Sequence, residues 1–143
     1  MTIHPQLLPF EFVVVGKPVS HQTKNKQILR DWCQTVHNTA RNYWKNPPTG
    51  EPLQVVITHY FEATWNESGV PDNDNIIKPV RDAMNGVIYV DDYQITDFLS
   101  RRRNLNGPFR VKGMSAVLAD AFSKGEEFLH ILVKSAPNPI ELS

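Results

Sequence analysis

Cysteine is almost absent from this 143-residue sequence, in which Cys33 is the single example. A disulfide framework and a thiolate metal cage are therefore excluded, and this cysteine usage fits a reducing compartment. Long apolar runs are absent too, and the first nine residues include two prolines. A membrane-spanning helix needs about 20 apolar residues, and a signal peptide needs an apolar run near the start. We expect a cytoplasmic protein with no membrane partner.

The chain also lacks net charge, because its 15 basic residues are matched by 15 acidic residues. Many nucleic-acid binders are strongly basic, so a neutral total argues against such a function. The basic residues are nevertheless unevenly distributed, and two segments contain no acid. The first holds Lys17, Lys24, Lys26 and Arg30, and the second holds Arg101, Arg102, Arg103, Arg110 and Lys112. A basic rim around an acidic centre is compatible with zero net charge.

The predicted fold is a single mixed α/β (α+β) domain over residues 1–143, with residues 135–143 as a flexible tail. A hydrophobic fraction of 41% is enough to bury a core without disulfides. β-Branched and aromatic runs predict strands at residues 10–15, 52–65, 87–90, 94–103 and 127–134. The expected architecture is a mixed sheet of about four to five strands flanked by two main helices.

Those two helices follow from the spacing of apolar residues. The periodicity predicts a long helix from Ile28 to Trp44 and a short helix from Asp74 to the pair Asn85-Gly86. A turn is predicted at residues 68–71, where Ser, Gly and Pro cluster. The segment "MSAVLADAF", residues 114–122, fits a strand and a short helix equally well.

Acidic residues concentrate in the stretch "VPDNDNIIKPVRDAMNGVIYVDD", residues 70–92. It contains five aspartates but only two cations, Lys78 and Arg81. Counted at 3.6 residues per turn, Asp74, Lys78 and Asp82 share one stripe of the short helix, and apolar residues occupy the opposite side. Like charges gathered in one place repel each other, so either these acids point apart into water or a cation lies among them.

The second possibility predicts a metal site. Asp72 stands two residues before Asp74 and can reach the same place, and a short return of the chain can bring Asp91 or Asp92 to the N-terminal end of the helix. Carboxylate oxygens of this kind suit Mg²⁺ or Mn²⁺. Lys78, one turn along the helix, can hold a phosphate oxygen or stabilise charge in a transition state.

The first possibility needs no ligand at all. Asp74 and Asp82 can be i,i+4 partners of Lys78 on a solvated helix, each pair contributing about 0.3–0.5 kcal/mol. Asp72 or Asp74 can cap the helix, since aspartate is a preferred N-cap residue. The pair at residues 91–92 can belong to an ordinary turn. Spacing alone does not decide between this interpretation and a metal site.

The motif in this stretch resembles the signature of the RusA-like Holliday-junction resolvases, the crossover-junction endodeoxyribonucleases. The family pattern reads D-x-D-N-x-x-K, then an aspartate four residues after the lysine, then a D-D pair after a short strand. It is matched here by Asp72, Asp74, Asn75, Lys78, Asp82 and the pair Asp91-Asp92. The order of elements from residue 10 to residue 62 is also similar. The segment from Asn104 to Glu126 is longer than in this family.

The resemblance implies a Mg²⁺-dependent homodimer of RusA-like fold that binds four-way DNA junctions and nicks two strands symmetrically. By that match Asp72, Asp74 and Asp92 are the metal-binding acids, and Lys78 is the catalytic lysine. Asp91 is a neighbouring or supporting ligand. Two rival functions are a nuclease for another branched DNA and a catalytically silent DNA-binding protein that assists recombination.

Two basic regions are candidate DNA contacts. One is the loop that carries Lys17, Lys24 and Lys26, whose alternative role is solubility. The other is the run of arginines at 101–103, where Arg101 and Arg103 face one side of a strand and Arg102 the other. The alternative for these arginines is a solvated sheet edge that discourages aggregation.

Overall fold

Four strands form one mixed sheet in a computed structural model that describes residues 7–63 and 72–137. They are β1 (Phe10–Val15), β2 (Leu53–Phe61), β3 (Ile95–Asn104) and β4 (Phe128–Ser135). Their order across the sheet is β1-β4-β2-β3, with β2 and β3 parallel and the other neighbours antiparallel. β1 and β3 are therefore the two edges of the sheet. The predicted mixed α+β fold is confirmed.

One face of the sheet is covered by two helices, α1 (Lys26–Tyr43) and α2 (Asn73–Met84). α1 begins where the side chain of Asn25 accepts a hydrogen bond from the amide of Ile28 at 3.2 Å. Its inward stripe, formed by Trp32, Val36 and Ala40, is buried against the sheet and α2. Burial of a large apolar side chain contributes about 1.5–3 kcal/mol, so this stripe fixes which side of α1 faces the core.

α2 is the crossover between the parallel strands β2 and β3. Parallel strands cannot be joined by a tight turn, so the chain must leave the sheet and return across one of its faces. Ile76, Val80 and Met84 are fully buried beneath α2, and these residues recur at helical spacing. Their burial turns the charged stripe of α2 away from the sheet and towards solvent.

Pro79 lies inside α2 and leaves one backbone acceptor of the helix without its usual partner. A proline has no amide hydrogen, so the carbonyl four residues earlier, that of Asn75, loses its helical bond. In this structure the amide of His21 donates to that carbonyl at 2.7 Å. The proline therefore leaves this carbonyl free to accept a hydrogen bond from the loop between β1 and α1. That bond ties the backbone of the loop to the N-terminal half of α2.

The other face of the sheet carries a second, smaller apolar cluster. It is built on α3 (Ala116–Ser123), whose Leu118 and Ala121 are buried with Tyr60 and Phe128. α3 begins at Ser115, whose hydroxyl accepts a hydrogen bond from the amide of Leu118 at 3.2 Å. The segment "MSAVLADAF", for which the sequence left strand and helix open, is thus helical over most of its length.

A buried imidazole is bonded to a carboxylate inside the domain. His59 on β2 is fully buried, and its Nε2 lies 2.8 Å from Oε2 of Glu127. Its Nδ1 has no hydrogen-bond partner in the part of the chain that the structure describes. Burial lowers the pKa of His59, more than Glu127 raises it. The ring is therefore neutral and donates through Nε2–H, because a second ring proton would be an unpaired buried donor.

The prediction of a strand at residues 87–90 is wrong. These residues form a turn after α2, in which Tyr89 makes isolated bridges with Thr49 and Asn85 only. Val87, Ile88 and Tyr89 are nevertheless buried, and the hydroxyl of Tyr89 donates to the carbonyl of Arg81 at 2.6 Å. The apolar run closes the C-terminal end of α2, which is why it is as hydrophobic as a strand.

Two further predictions concern segments at the limits of the described residues. The predicted tail was expected from residue 135, but Ser135 ends β4 and the amide of Ala136 donates to the carbonyl of Pro52 at 3.0 Å. Residues 138–143 lie outside the described residues, as does the turn predicted at residues 68–71.

We predict that Pro79→Ala loosens the loop on α2. The new amide of residue 79 would compete with the His21 amide for the Asn75 carbonyl. A backbone hydrogen bond has a net value of about 1 kcal/mol, so the His21 amide should exchange with solvent about threefold to tenfold faster. Amide hydrogen exchange followed by NMR measures this, with Pro108→Ala as the control. Unchanged exchange of His21 in Pro79→Ala would contradict the account.

We also predict that stability falls on acidification because of His59. Its unfolded pKa is near the ordinary value of 6.5, and its folded pKa is lower. Between these two values the unfolded chain binds more protons, so the free energy of unfolding decreases as the pH falls below about 6.5. Urea unfolding at several pH values measures the slope. His59→Gln should flatten it and the control His21→Gln should keep it, whereas equal slopes would exclude His59 as the cause.

Candidate functional site

The outward face of α2 carries the acids and the lysine of the sequence motif. Lys78 and Asp82 form an i,i+4 ion pair, with 3.2 Å between Nζ and Oδ2, and both side chains are about half exposed. Asp74 is exposed in the first turn of the helix. It forms no hydrogen bond or ion pair with residues 7–63 or 72–137 that would occupy its carboxylate. The stripe predicted from the sequence is therefore present on the solvent side.

Asp72 occupies the N-cap position of α2 but does not act as a cap. Its backbone is extended, as an N-cap requires, yet its side chain accepts no capping hydrogen bond. The exposed carboxylate is therefore available for another partner. The interpretation of the motif as helix caps, turns and surface pairs holds for the pair Lys78–Asp82 and for Asp91, which caps the short 3₁₀ helix Asp92–Gln94, but not for Asp72.

Asp91 and Asp92 bring two carboxylates into contact just before β3. The Asp91 carboxylate accepts a hydrogen bond from the amide of Tyr93 at 3.0 Å, and the Gln94 side chain accepts from the amide of Asp91 at 3.0 Å. The Tyr93 amide and then the side chain of Asp92 lower the pKa of Asp91. The hydrogen bond with Asp91 and then burial raise the pKa of Asp92. The two carboxylates therefore act on each other electrostatically, and a bound cation would relieve this interaction.

The position of Asp92 differs from the expected one. The sequence predicts that one of the pair Asp91-Asp92 returns to the N-terminal end of α2, but Oδ2 of Asp92 lies 3.4 Å from Nε of Arg81, in the last turn of the helix. Arg81 also lies over the ring of Phe98, 5.8 Å from its centroid. Because Tyr89 closes the end of α2, the following turn emerges beside the C-terminal half of the helix.

The structure consequently brings together some of the predicted metal ligands and not others. Asp91 and Asp92 are in contact, whereas Asp74 and Arg81 are seven positions apart, about 10 Å along a helix axis. Within residues 7–63 and 72–137 no three His, Cys, Asp or Glu side chains are grouped closely enough to hold a metal ion. Convergence of Asp72, Asp74 and Asp92 stays a prediction. The donors themselves, exposed carboxylates without other cation partners at 72 and 74, fit Mg²⁺ or Mn²⁺.

The first basic region lies against the same helix. The loop between β1 and α1 carries Lys17 and Lys24, Lys26 is the first residue of α1, and all three are exposed. Besides the bond from His21 to α2, Nζ of Lys26 donates to the carbonyl of His21 at 3.4 Å. This loop therefore places positive charge beside the N-terminal half of the acidic helix, as a surface for DNA requires.

The second basic region lies on the opposite side of the sheet. Arg101 and Arg103 pair with Thr58 and Tyr60 of β2, and Nε of Arg101 donates to the Thr58 hydroxyl at 2.8 Å. Arg102 points the other way, as the alternation along a strand predicts. Since Tyr60 packs under α3, the two outer arginines share a face with α3 and not with α2.

Three features of the site had no assignment from the sequence. Arg81 pairs with Asp92, Asn75 accepts from the basic loop, and Arg110 and Lys112 join Arg101 and Arg103 around a cavity. Only the four cations around the cavity could have been found from the sequence, because they lie in a basic segment that contains no acid. The other two depend on the turn after α2 and on the lost helical bond at Pro79.

Comparison with known proteins identifies the family. The model of the family described as "Endodeoxyribonuclease RusA" matches residues 11–112, which contain β1 except for its first residue, β2, β3, both helices of the first face and the acidic motif. No curated protein matches the chain. No helix among the described residues is both long and apolar enough to span a membrane. Because the match covers more than half of the sequence, the chain belongs to the RusA family of endodeoxyribonucleases.

Proposed function

We propose that the protein is a Mg²⁺-dependent endodeoxyribonuclease that resolves four-way DNA junctions by paired symmetric nicks, in recombination and repair. The observation that carries the proposal is the exposed face of α2. It presents Asp74 and Lys78 to solvent within the part of the chain that matches the family, and a basic loop is bonded to the same helix. An acidic face bordered by cations is suited to a metal ion and a phosphate together.

Asp72, Asp74 and Asp92 would hold the metal ion, with Asp91 as a neighbouring ligand. When bound, Mg²⁺ would supply an activated water and offset the charge on the phosphate under attack. Mn²⁺ has similar ligand preferences and is a second possible cofactor. The donor set supports this role because carboxylate oxygens are the ligands that these ions prefer.

Lys78 would stabilise negative charge on the phosphate. Its ammonium group is about half exposed and paired with Asp82 on the same helix turn, so it is accessible to a DNA strand that lies along α2. The pair with Asp82 holds the lysine near the acids without burying it. Lys17, Lys24 and Lys26 would contact the DNA backbone on the same side, where they attract phosphates without reading sequence.

A homodimer would match the symmetry of the proposed substrate. A four-way junction presents two equivalent strands, and a two-fold dimer presents two equivalent sites. The sedimentation coefficient of the protein alone and of its junction complex tests this state. A dimer is expected in both, and a monomer on the junction would contradict paired nicking.

The second candidate is a catalytically silent DNA-binding member of the family. It is favoured by one observation, which is that no group of three metal-binding side chains is assembled within residues 7–63 and 72–137. A labelled four-way junction incubated with and without Mg²⁺ separates the candidates on a denaturing gel. Two symmetric nicks that require Mg²⁺ support the nuclease, and binding without nicking supports the silent protein.

A panel of forked, flapped and linear duplex DNA in the same assay defines the substrate class. Faster cleavage of the junction than of any other substrate is the expected result. If a fork or a flap is cleaved faster than the junction, the protein is a nuclease but its preferred substrate is another branched DNA.

We predict that Asp74→Asn abolishes cleavage while junction binding survives. The amide is similar in size to the carboxylate but has no charge, so it would bind a divalent ion poorly without disturbing the helix. Cleavage of the labelled junction and its binding in EDTA measure the two effects. Asp120→Asn on α3 is the control and should cleave like the unaltered protein. Cleavage by Asp74→Asn at the unaltered rate would refute a role for this acid in the reaction.

We predict that Lys78→Met lowers the single-turnover cleavage rate by about a hundredfold, a typical cost for removing one group that stabilises transition-state charge. Lys124→Met is a closely matched control. Lys124 has the same exposed fraction of 53% and also forms an i,i+4 pair, with Asp120 at 3.4 Å. The control should change the rate by less than about twofold. Equal losses in the two variants would point to general charge effects and not to catalysis.

A further inference from the structure

A cavity of about 330 Å³ opens on the α3 side of the sheet and is lined by four cations. These are Arg101 and Arg103 from β3, and Arg110 and Lys112 from the segment that follows it. Thr58 and Tyr60 of β2, which carry hydroxyl groups, also line the cavity. This is the face opposite α2, so the cavity is separate from the acids and the lysine of the proposed catalytic site.

The segment after β3 is folded back so that its cations meet those of the strand. The amide of Leu105 donates to the carbonyl of Phe61 at 2.8 Å. The ring of Phe109 packs on that of Tyr60 with centroids 5.7 Å apart, and Val111 packs on the same cluster. Apolar anchors at 109 and 111 therefore alternate with the exposed cations at 110 and 112, an arrangement that a merely solvated loop does not need.

The cavity concentrates positive charge, and no acid among the residues that the structure describes compensates it. Among residues 7–63 and 72–137, no acidic side chain lines it, and none forms an ion pair with any of its four cations. Two of the guanidinium groups are held by neutral acceptors, that of Arg101 by the hydroxyl of Thr58 at 2.8 Å and that of Arg103 by the carbonyl of Arg102 at 2.8 Å. Like charges in one cavity repel, and an anion that enters it removes this repulsion.

We propose that this cavity binds a backbone phosphate of the DNA, at a position other than the phosphate that is cleaved. Arginine and lysine are the residues that most often contact DNA phosphates, and β3 is an edge strand, so DNA can reach both faces of the sheet around it. The identity of the anion as DNA rests on the proposed function. The chain's longer segment at 104–126 would thus extend the DNA-binding surface.

The test removes the two cations that lie outside β3. Arg110→Gln together with Lys112→Gln leaves the anchors Phe109 and Val111 in place. Binding of a labelled four-way junction in EDTA is measured by fluorescence anisotropy over a range of salt concentrations. We expect an affinity loss of about tenfold, and a salt dependence whose slope is lower by about one to two, since each phosphate contact on a duplex contributes about 0.9.

The matched control is Arg41→Gln together with Lys124→Gln, which removes the same charge from exposed positions away from the cavity. It should change affinity by about twofold or less. Equal losses in the two variants would show general electrostatic attraction and overturn the proposal. An unchanged affinity in the cavity variant would also overturn it. The cations would then serve only to discourage aggregation at the edge of the sheet.

Inorganic phosphate provides a separate arm of the test. If it binds the unaltered protein and Arg110→Gln/Lys112→Gln abolishes that binding while DNA affinity stays unchanged, the cavity takes a free anion and the DNA proposal fails. Cleavage by the unaltered protein is scored independently. If the unaltered protein cleaves the junction but Arg110→Gln/Lys112→Gln keeps full junction affinity, only the cavity proposal fails. If the variant loses junction affinity but the unaltered protein does not cleave, only the nuclease proposal fails.

Discussion

The parallel pairing of β2 with β3 is the constraint on which the rest of the molecule depends. Because a parallel connection must cross a face of the sheet, α2 lies over that face and buries Ile76, Val80 and Met84 beneath it. The charged stripe, on the opposite side of α2, therefore faces the solvent. The same pairing orients alternate residues of β3, so Arg101 and Arg103 face away from α2.

A single backbone bond connects the basic loop to this acidic helix. Pro79 cannot donate to the carbonyl of Asn75, and the amide of His21 takes its place at 2.7 Å. A helix normally uses its own carbonyls, so an interior proline usually costs stability. Here a tertiary hydrogen bond replaces the lost helical one. This bond holds the basic loop beside the N-terminal half of α2, where its positive charge offsets that of the carboxylates. The neutral net charge of the chain is consistent with this arrangement, because the cations of the loop and the acids of α2 cancel in the total and still form distinct local surfaces.

The sequence predicts most of the fold because its elements have strong local signals. "FEFVVV" is a strand over the residues expected, and the apolar spacing after Asn25 sets the long helix. The run "VIYV" was misassigned because burial against a helix end and burial within a sheet favour the same residues. Pattern alone did not decide "MSAVLADAF", which became a helix through its cap at Ser115 and its packing on Tyr60.

The candidate site is predicted less completely than the fold. The stripe on α2 follows from helical geometry, since residues four apart share a face whatever surrounds them. The position of Asp92 depends on the path of the chain after Gly86. That path is fixed by the hydrogen bond that the hydroxyl of Tyr89 donates to the backbone carbonyl of Arg81. A contact between residues of a turn and the end of a helix leaves no periodic trace in the sequence. The cavity of four cations required the return of the segment after β3 and could not be predicted for the same reason.

The proposal that Asp74 and Asp92 hold one shared divalent ion is tested most directly by calorimetric titration of the protein with Mn²⁺. Asp74→Asn and Asp92→Asn should each weaken the same single binding event, because each removes one carboxylate ligand of the same ion. Asp120→Asn on α3 is the control and should leave the binding unchanged. Weaker binding in only one of the two variants, or two independent binding events of which each variant removes one, would contradict a shared ion.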